Sequence, residues 1–156
     1  MSKSIIIPID RSKPLNPVRF VGKGWAIEEE DVRSLTLHEI DIAKIQLVTM
    51  LKPGEQVLDG EERLRRLKES GYIRLDAKIL QTLWESRYLL GHWKEKVDGK
   101  TLHIFCDGTI FRHPRDDGHN RRCVQAMYWL EGMWMLRSFS LDSIWSANSP
   151  SAVLIA

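Results

Sequence analysis

Apolar and polar positions alternate most legibly in the last third of the chain. Phe105-Cys106-Asp107-Gly108-Thr109-Ile110-Phe111 is an apolar run divided by Asp-Gly, the commonest two-residue hairpin signal. Pairing across it sets Phe105 beside Ile110 and Ile104 beside Phe111. Tyr128-Trp129-Leu130-Glu131-Gly132-Met133-Trp134-Met135 repeats the arrangement on Glu-Gly. Pairing there sets Trp129 beside Trp134, Tyr128 beside Met135 and Met127 beside Leu136. Period-two alternation then gives one face of Met127, Trp129, Trp134 and Leu136, and another of Val124, Tyr128, Met135 and Phe139. Both faces are apolar, so both need cover. The pattern predicts a four-stranded antiparallel β-meander over about 101–141, with a polar loop, His113 to Arg122, between the hairpins.

Helical periodicity governs the middle. Asp59 is a natural N-cap with Glu62 three residues on, as in a capping box. Glu61 and Glu62 precede Arg65, Arg66 and Lys68, the order the helix dipole favours. Leu64 and Leu67 supply the buried stripe, and Gly71 stands where a C′ glycine belongs. This predicts a helix over about 59–70. Ile79, Leu80, Leu83 and Trp84 recur at steps of three and four and predict a second, over about 76–88. Tyr72-Ile73-Arg74-Leu75 between them reads as a short strand or a bend.

The first fifty residues are less regular. Ile5, Ile6 and Ile7 suit a strand, but Pro8, Pro14 and Pro17 block ladder pairing, so residues 1–24 read as an extended N-terminal arm. Glu28, Glu29, Glu30 and Asp31 form an acidic run of the kind that opens a helix, with Val32 and Leu35 sharing a face. Residues 37–51 satisfy a strand through Ile45 to Met50 and a helix through Leu37, Ile40, Ala43, Leu47 and Met50, so both stay open. Asn148-Ser149-Pro150 is a turn before an apolar end. The expected architecture is α+β. Two central helices pack on the C-terminal meander, and residues 25–156 form a single α+β domain. The arm, the tail or a second subunit covers the remaining face.

Composition narrows the function classes. At 156 residues, 43% hydrophobic and 28% charged, the chain has the makeup of an ordinary globular domain. A net charge of +2 is too small to argue for a nucleic-acid or membrane partner. No apolar run reaches the roughly 20 residues of a membrane span, and Ser4 to Ile9 is too short for a signal-peptide core. A cytoplasmic protein with reduced Cys106 and Cys123 is expected.

Four groups of residues have chemical potential. Cys106, His113, His119 and Cys123 are all metal-ligand types. However, Cys106 and His113 would lie about 16 Å apart across the meander, and the spacing lacks the paired half-sites of structural zinc. The expectation is core thiols, loop histidines and no metal. The loop residues Arg112, His113, Arg115, His119, Arg121 and Arg122, with Asp116, Asp117 and Asn120, have the types that position a phosphate or move protons. A solvated connection is the plainer reading. Arg63, Arg65, Arg66 and Lys68 precede a second helix after a short glycine-containing link, as in helix-turn-helix proteins, yet Glu61 and Glu62 stand ready to pair with them. Trp129 and Trp134 make either core or a stacking platform, and Trp145, among polar neighbours, is the tryptophan expected at the surface. No phosphate-binding glycine loop, no nucleophile elbow and no cofactor signature is present.

Glu39-Ile40-Asp41-Ile42, Gly60-Glu61-Glu62-Arg63-Leu64, Arg74-Leu75-Asp76-Ala77-Lys78 and Asn148-Ser149-Pro150-Ser151-Ala152-Val153 are similar to blocks in small bacterial proteins with no assigned function. The resemblance spans most of the chain after Trp25. It implies a recurring self-contained domain and no particular activity. The reading that follows is a non-catalytic binding or assembly module, with a protein partner or self-association through the aromatic sheet face. The alternative is a small nucleic-acid-binding protein or metal-dependent nuclease built on loop 112–122.

Overall fold

The computed structural model describes residues 3–114 and 121–156. In chain order the elements are β1 (Ile6–Pro8), α1 (Pro17–Phe20), β2 (Ala26–Glu30), α2 (Val32–Leu35), β3 (Glu39–Asp41), β4 (Gln46–Val48), β5 (Leu58–Asp59), α3 (Gly60–Ser70), β6 (Ile73–Arg74) and α4 (Ala77–Glu85). They continue with β7 (Lys96–Val97), β8 (Lys100–Thr101), β9 (His103–Arg112), β10 (Arg122–Leu130), β11 (Met133–Ser140), β12 (Ile144–Trp145) and β13 (Ser151–Leu154). The architecture is α+β with open sheets. The main sheet runs β11-β10-β9-β13-β4, with β2 also on β9 and β6 also on β13.

Both predicted helices form. Asp59 caps α3 by accepting from the Glu62 amide at 2.8 Å, and Gly71 ends it in the left-handed conformation. Asp76 caps α4 by accepting from Lys78. The second hairpin also forms in the expected register, Trp129 opposite Trp134, Tyr128 opposite Met135 and Met127 opposite Leu136. Glu131 and Gly132 both take positive φ, 49° and 83°, as a tight type I′ turn requires.

The first hairpin does not. Asp107-Gly108 lies inside the single ten-residue strand β9, and the four-stranded meander is replaced by β9, β10 and β11 within a larger sheet. Between Cys106 and Phe111, β9 leaves β10 and takes β2 as its partner, Ile110 opposite Glu29 and Thr109 opposite Glu30. The Gly108 amide donates to Leu75 O at 2.8 Å, and its carbonyl accepts from the Asp31 amide at 2.7 Å. A Cβ at Gly108 would collide with Arg74 O and stand 2.5 Å from Leu75 O. The glycine therefore serves a close approach of two backbones, which a turn signal read locally cannot distinguish from a hairpin.

One further expectation is corrected, and two stretches whose form the sequence left open are described. The acidic run is the strand β2, and the helix starts only after Asp31, which caps α2. Residues 39–48 hold two short strands and a 3₁₀ turn, Ile42–Lys44. The N-terminal stretch packs on the rest of the chain: β1 pairs with β3, Ile7 and Ile9 are buried, and Arg11 reaches across to Asp76 at 2.8 Å.

The two apolar faces are covered from opposite sides. Ile104, Cys106 and Met127 pack with Ile79, Leu80 and Leu83 of α4 and with Ile7 and Ile9. Phe105, Val124 and Ala126, on the other face, pack with Leu64 of α3 and with Trp145. The expectation that both helices share one face is thereby overturned. The tail is β13, a strand within the sheet that runs parallel to β9 and antiparallel to β4.

Candidate functional site

Burial of β9 creates an interior polar centre. Arg63, 1% exposed, donates to Ser149 O and places its Nε 3.9 Å from Asp107 Oδ2. Its guanidinium lies 4.3 Å from the Trp145 ring centroid and 5.0 Å from that of Phe105. Asp107 accepts from the Ser151 hydroxyl, and Arg74 donates to Asp107 O at 2.7 Å. Burial pushes the Arg63 pKa down, and the Asp107 charge opposes that. Both ions are sealed from solvent, so this centre holds β9, β13 and α3 together and offers no mouth to a ligand.

The residues singled out in the sequence are dispersed. Trp145 is buried against Arg63 and Phe105, in contrast to the exposure expected of it, because β12 pairs with β5 and turns the ring inward. Trp129 and Trp134 meet edge to face at 5.4 Å and are half-buried, with Lys94 Nζ 3.9 Å above the Trp129 ring. Arg122 is engaged by three carboxylates, Glu28 at 2.7 Å, Glu61 at 2.6 Å and Glu29 at 3.4 Å, and Arg112 reaches Glu28 at 3.3 Å. Burial works against the Arg122 charge, but the bonds to Glu28 and Glu61 outweigh it and raise its pKa. His113 packs edge-on against Trp25 at 4.6 Å. Arg121 is half-buried, and its carbonyl accepts from the His113 amide at 2.9 Å. Arg115, Asp116, Asp117, His119 and Asn120 lie outside the described residues. On α3, Arg65 pairs with Glu62 and Glu69, Arg66 with Glu55 and Lys68 with Glu29, so these cations face carboxylates of their own chain. Cys106 and Cys123 are free and buried, burial raises both thiol pKa values, and no group of three or more metal-ligating side chains occurs among the described residues.

A concave site lies elsewhere. A groove of about 660 Å³ runs between β4 and the 3₁₀ turn Gly91–Lys94, walled by Ile5, Ile42, Ile45, Leu47, Trp93 and Leu102. Lys3, Thr49, His92 and Glu95 stand at its rim. This volume is in the range of ligand pockets. A second hollow of about 460 Å³ shares Val97 and Ala147 with it and adds Leu51, Val57, Asp98 and Lys100.

Local chemistry fixes its walls. Asp41 caps the turn Ile42–Lys44 by accepting from Ala43 N at 3.0 Å and also accepts from Ile5 N at 3.1 Å. That sets Ile5 beside Ile42, whose amide donates to Ile5 O at 2.9 Å. Ile45, Leu47 and Thr49, in β4 and just beside its ends, recur every second residue and line the groove together. Across from them, the Trp93 amide donates to Leu90 O at 2.9 Å, and Phe105 N donates to Pro150 O at 3.0 Å. The floor belongs to the main core, because Ile42, Trp93 and Leu102 are buried in it. On its free edge β4 pairs with no strand among the described residues. Sequence reading missed this site, since its walls come from separate apolar segments with no shared local motif. The two-residue period of Ile45, Leu47 and Thr49 was the available signal.

Compared with known proteins, the chain matches no protein family, no curated protein and no solved structure.

Proposed function

We propose that the chain is a non-catalytic binding module that takes an extended apolar segment of a partner protein into the groove beside β4. One observation carries this reading: an apolar-walled groove of about 660 Å³ lies against a strand whose outer edge is unpaired among the described residues. Strand addition uses such an edge for backbone bonds and the neighbouring groove for alternate side chains. The sheet's aromatic face is a poorer platform, because Trp129 and Trp134 pack edge to face on each other and Lys94 lies over the Trp129 ring. Loop 112–122 is a poorer phosphate site, because Arg112 and Arg122 already face Glu28, Glu29 and Glu61.

Selection from a random peptide display library tests the proposal. The expected binders carry apolar residues at alternate positions. Each buried Leu-sized side chain contributes about 1.5–3 kcal/mol, so Leu47→Glu, which puts a charge on the groove wall, lowers affinity at least about tenfold. Binders without that alternation, or with undiminished affinity for the Leu47→Glu variant, refute it.

A further inference from the structure

A smaller cavity on another part of the surface holds two opposite charges that form no ion pair within 4 Å among the described residues. It measures about 310 Å³ and is walled by Pro14, Leu15, Ile27 and Leu35, with Arg11, Glu30, Asp76 and Lys78 as its polar groups. Arg11 and Asp76 satisfy one another. Arg11 donates twice to the Asp76 carboxylate, at 2.8 and 3.0 Å, and also to Leu37 O and Ser34 O. Asp76 further accepts from the Ser34 hydroxyl and the Lys78 amide.

Glu30 and Lys78 are different. In the run Glu28 to Asp31, Glu28 faces Arg112 and Arg122, Glu29 faces Lys68 and Arg122, and Asp31 faces Arg33 and Arg74. Glu30 meets no cation within 4 Å among the described residues; its Oε2 accepts from the Thr109 hydroxyl at 2.8 Å. Thr109 is fixed in turn by the Ala77 amide at 2.8 Å. Lys78 Nζ donates to Gln81 at 3.2 Å and likewise meets no carboxylate within 4 Å. The nearby Asp10 is hydrogen-bonded by Ser12 and feels the Lys78 charge only through space, without an ion pair. Glu30 and Lys78 thus line one apolar-walled cavity without forming an ion pair with each other.

We infer that this cavity binds a small zwitterion with an apolar side chain, a free α-amino acid of the leucine type, its ammonium on Glu30 and its carboxylate on Lys78. A ligand with both charges completes both partners at once, and its side chain meets Leu15, Ile27 and Leu35. A ligand with only one charge leaves the other half-buried group uncompensated. The volume is at the lower end for ligand pockets, which suits a molecule of that size.

Calorimetric titration with L-leucine tests this, alongside isoamylamine and isovalerate, which each keep one charge. Saturable leucine binding is expected, with at least about tenfold weaker binding of either analogue and an equal loss in both Glu30→Gln and Lys78→Met. Methyl NMR of the unaltered protein gives a readout that needs no variant: leucine shifts the resonances of Leu15, Ile27 and Leu35 and leaves Ile45 and Leu47 in place. Absence of saturable binding, an analogue that matches leucine, a variant that keeps full affinity, or shifts confined to the groove residues would overturn the inference. The Leu47→Glu variant keeps leucine binding intact, which separates this site from the groove.

Discussion

Replacing Gly108 by alanine probes the feature on which the sheet is built. The added Cβ would strike the Arg74–Leu75 backbone, which cannot rotate away as a side chain can. Overpacking of this kind costs about 1–3 kcal/mol. The shift also weakens the Gly108 amide bond to Leu75 O at 2.8 Å and the Asp31 amide bond to Gly108 O at 2.7 Å. Each such bond contributes about 1 kcal/mol. The expected loss is therefore about 3–5 kcal/mol, a large part of the ~5–15 kcal/mol by which a domain is stable. Gly132 is the internal control. It has a φ of 83° and open space around its Cα, so alanine there meets only the left-handed penalty. That penalty is about 1–2 kcal/mol. In urea unfolding followed by circular dichroism, with a slope of about 2 kcal/mol per molar, Gly108→Ala lowers the midpoint by about 1.5–2.5 M and Gly132→Ala by about 0.5–1 M. Were Asp107-Gly108 an exposed hairpin turn, the two variants would behave alike, and equal shifts would refute the reasoning.

Other perturbations follow from the same contacts. Arg63→Met leaves the Asp107 carboxylate buried without its cation and costs about 3–5 kcal/mol by urea unfolding; adding Asp107→Asn recovers part of it, whereas Arg65→Ala, at an exposed pair, leaves the midpoint nearly unchanged. Burial, reinforced by the Asp76 charge and opposed by the Thr109 bond and the more distant Arg11 charge, raises the Glu30 pKa above 4.5. The folded state therefore disfavours its ionised form, so Glu30→Gln raises Tm at neutral pH, and the gain disappears as pH falls below the unfolded value. The Arg66 bond holds Glu55 down at about 2. Its stabilising effect is full above 4.5 and is lost as pH falls through about 2; carboxyl NMR finds that midpoint, and Arg66→Ala moves it up toward 4.5. Cys106 and Cys123 are buried with raised pKa values, so a thiol reagent labels neither in the native protein and both after unfolding.

Much of the local structure was legible because local rules decided it. The cap at Asp59, the glycine at 71 and the Glu131-Gly132 register all depend on residues a few positions apart. What failed depended on distant partners. The acidic run becomes a strand because β9 pairs with it and because Arg112, Arg122 and Lys68 neutralise Glu28 and Glu29. Asp107-Gly108 has turn chemistry, yet Leu75, Ser151 and Arg63 make it an interior crossing. Trp145 has polar neighbours in sequence, but its bridge to Leu58 turns the ring inward. The candidate sites were less legible still. Groove walls drawn from residues 5, 42–47, 93 and 102 come together only in the fold, as do Glu30 and Lys78 on one cavity.

Native-state hydrogen exchange of the single Gly108 amide tests the architecture most directly. An amide bonded to Leu75 O in the middle of the sheet exchanges only through global unfolding, so its protection should equal that of the slowest core amides and fall in parallel with them as urea is added. Exchange near the rate of an unstructured peptide would place Gly108 in a solvent-exposed turn and contradict the central crossing of β9.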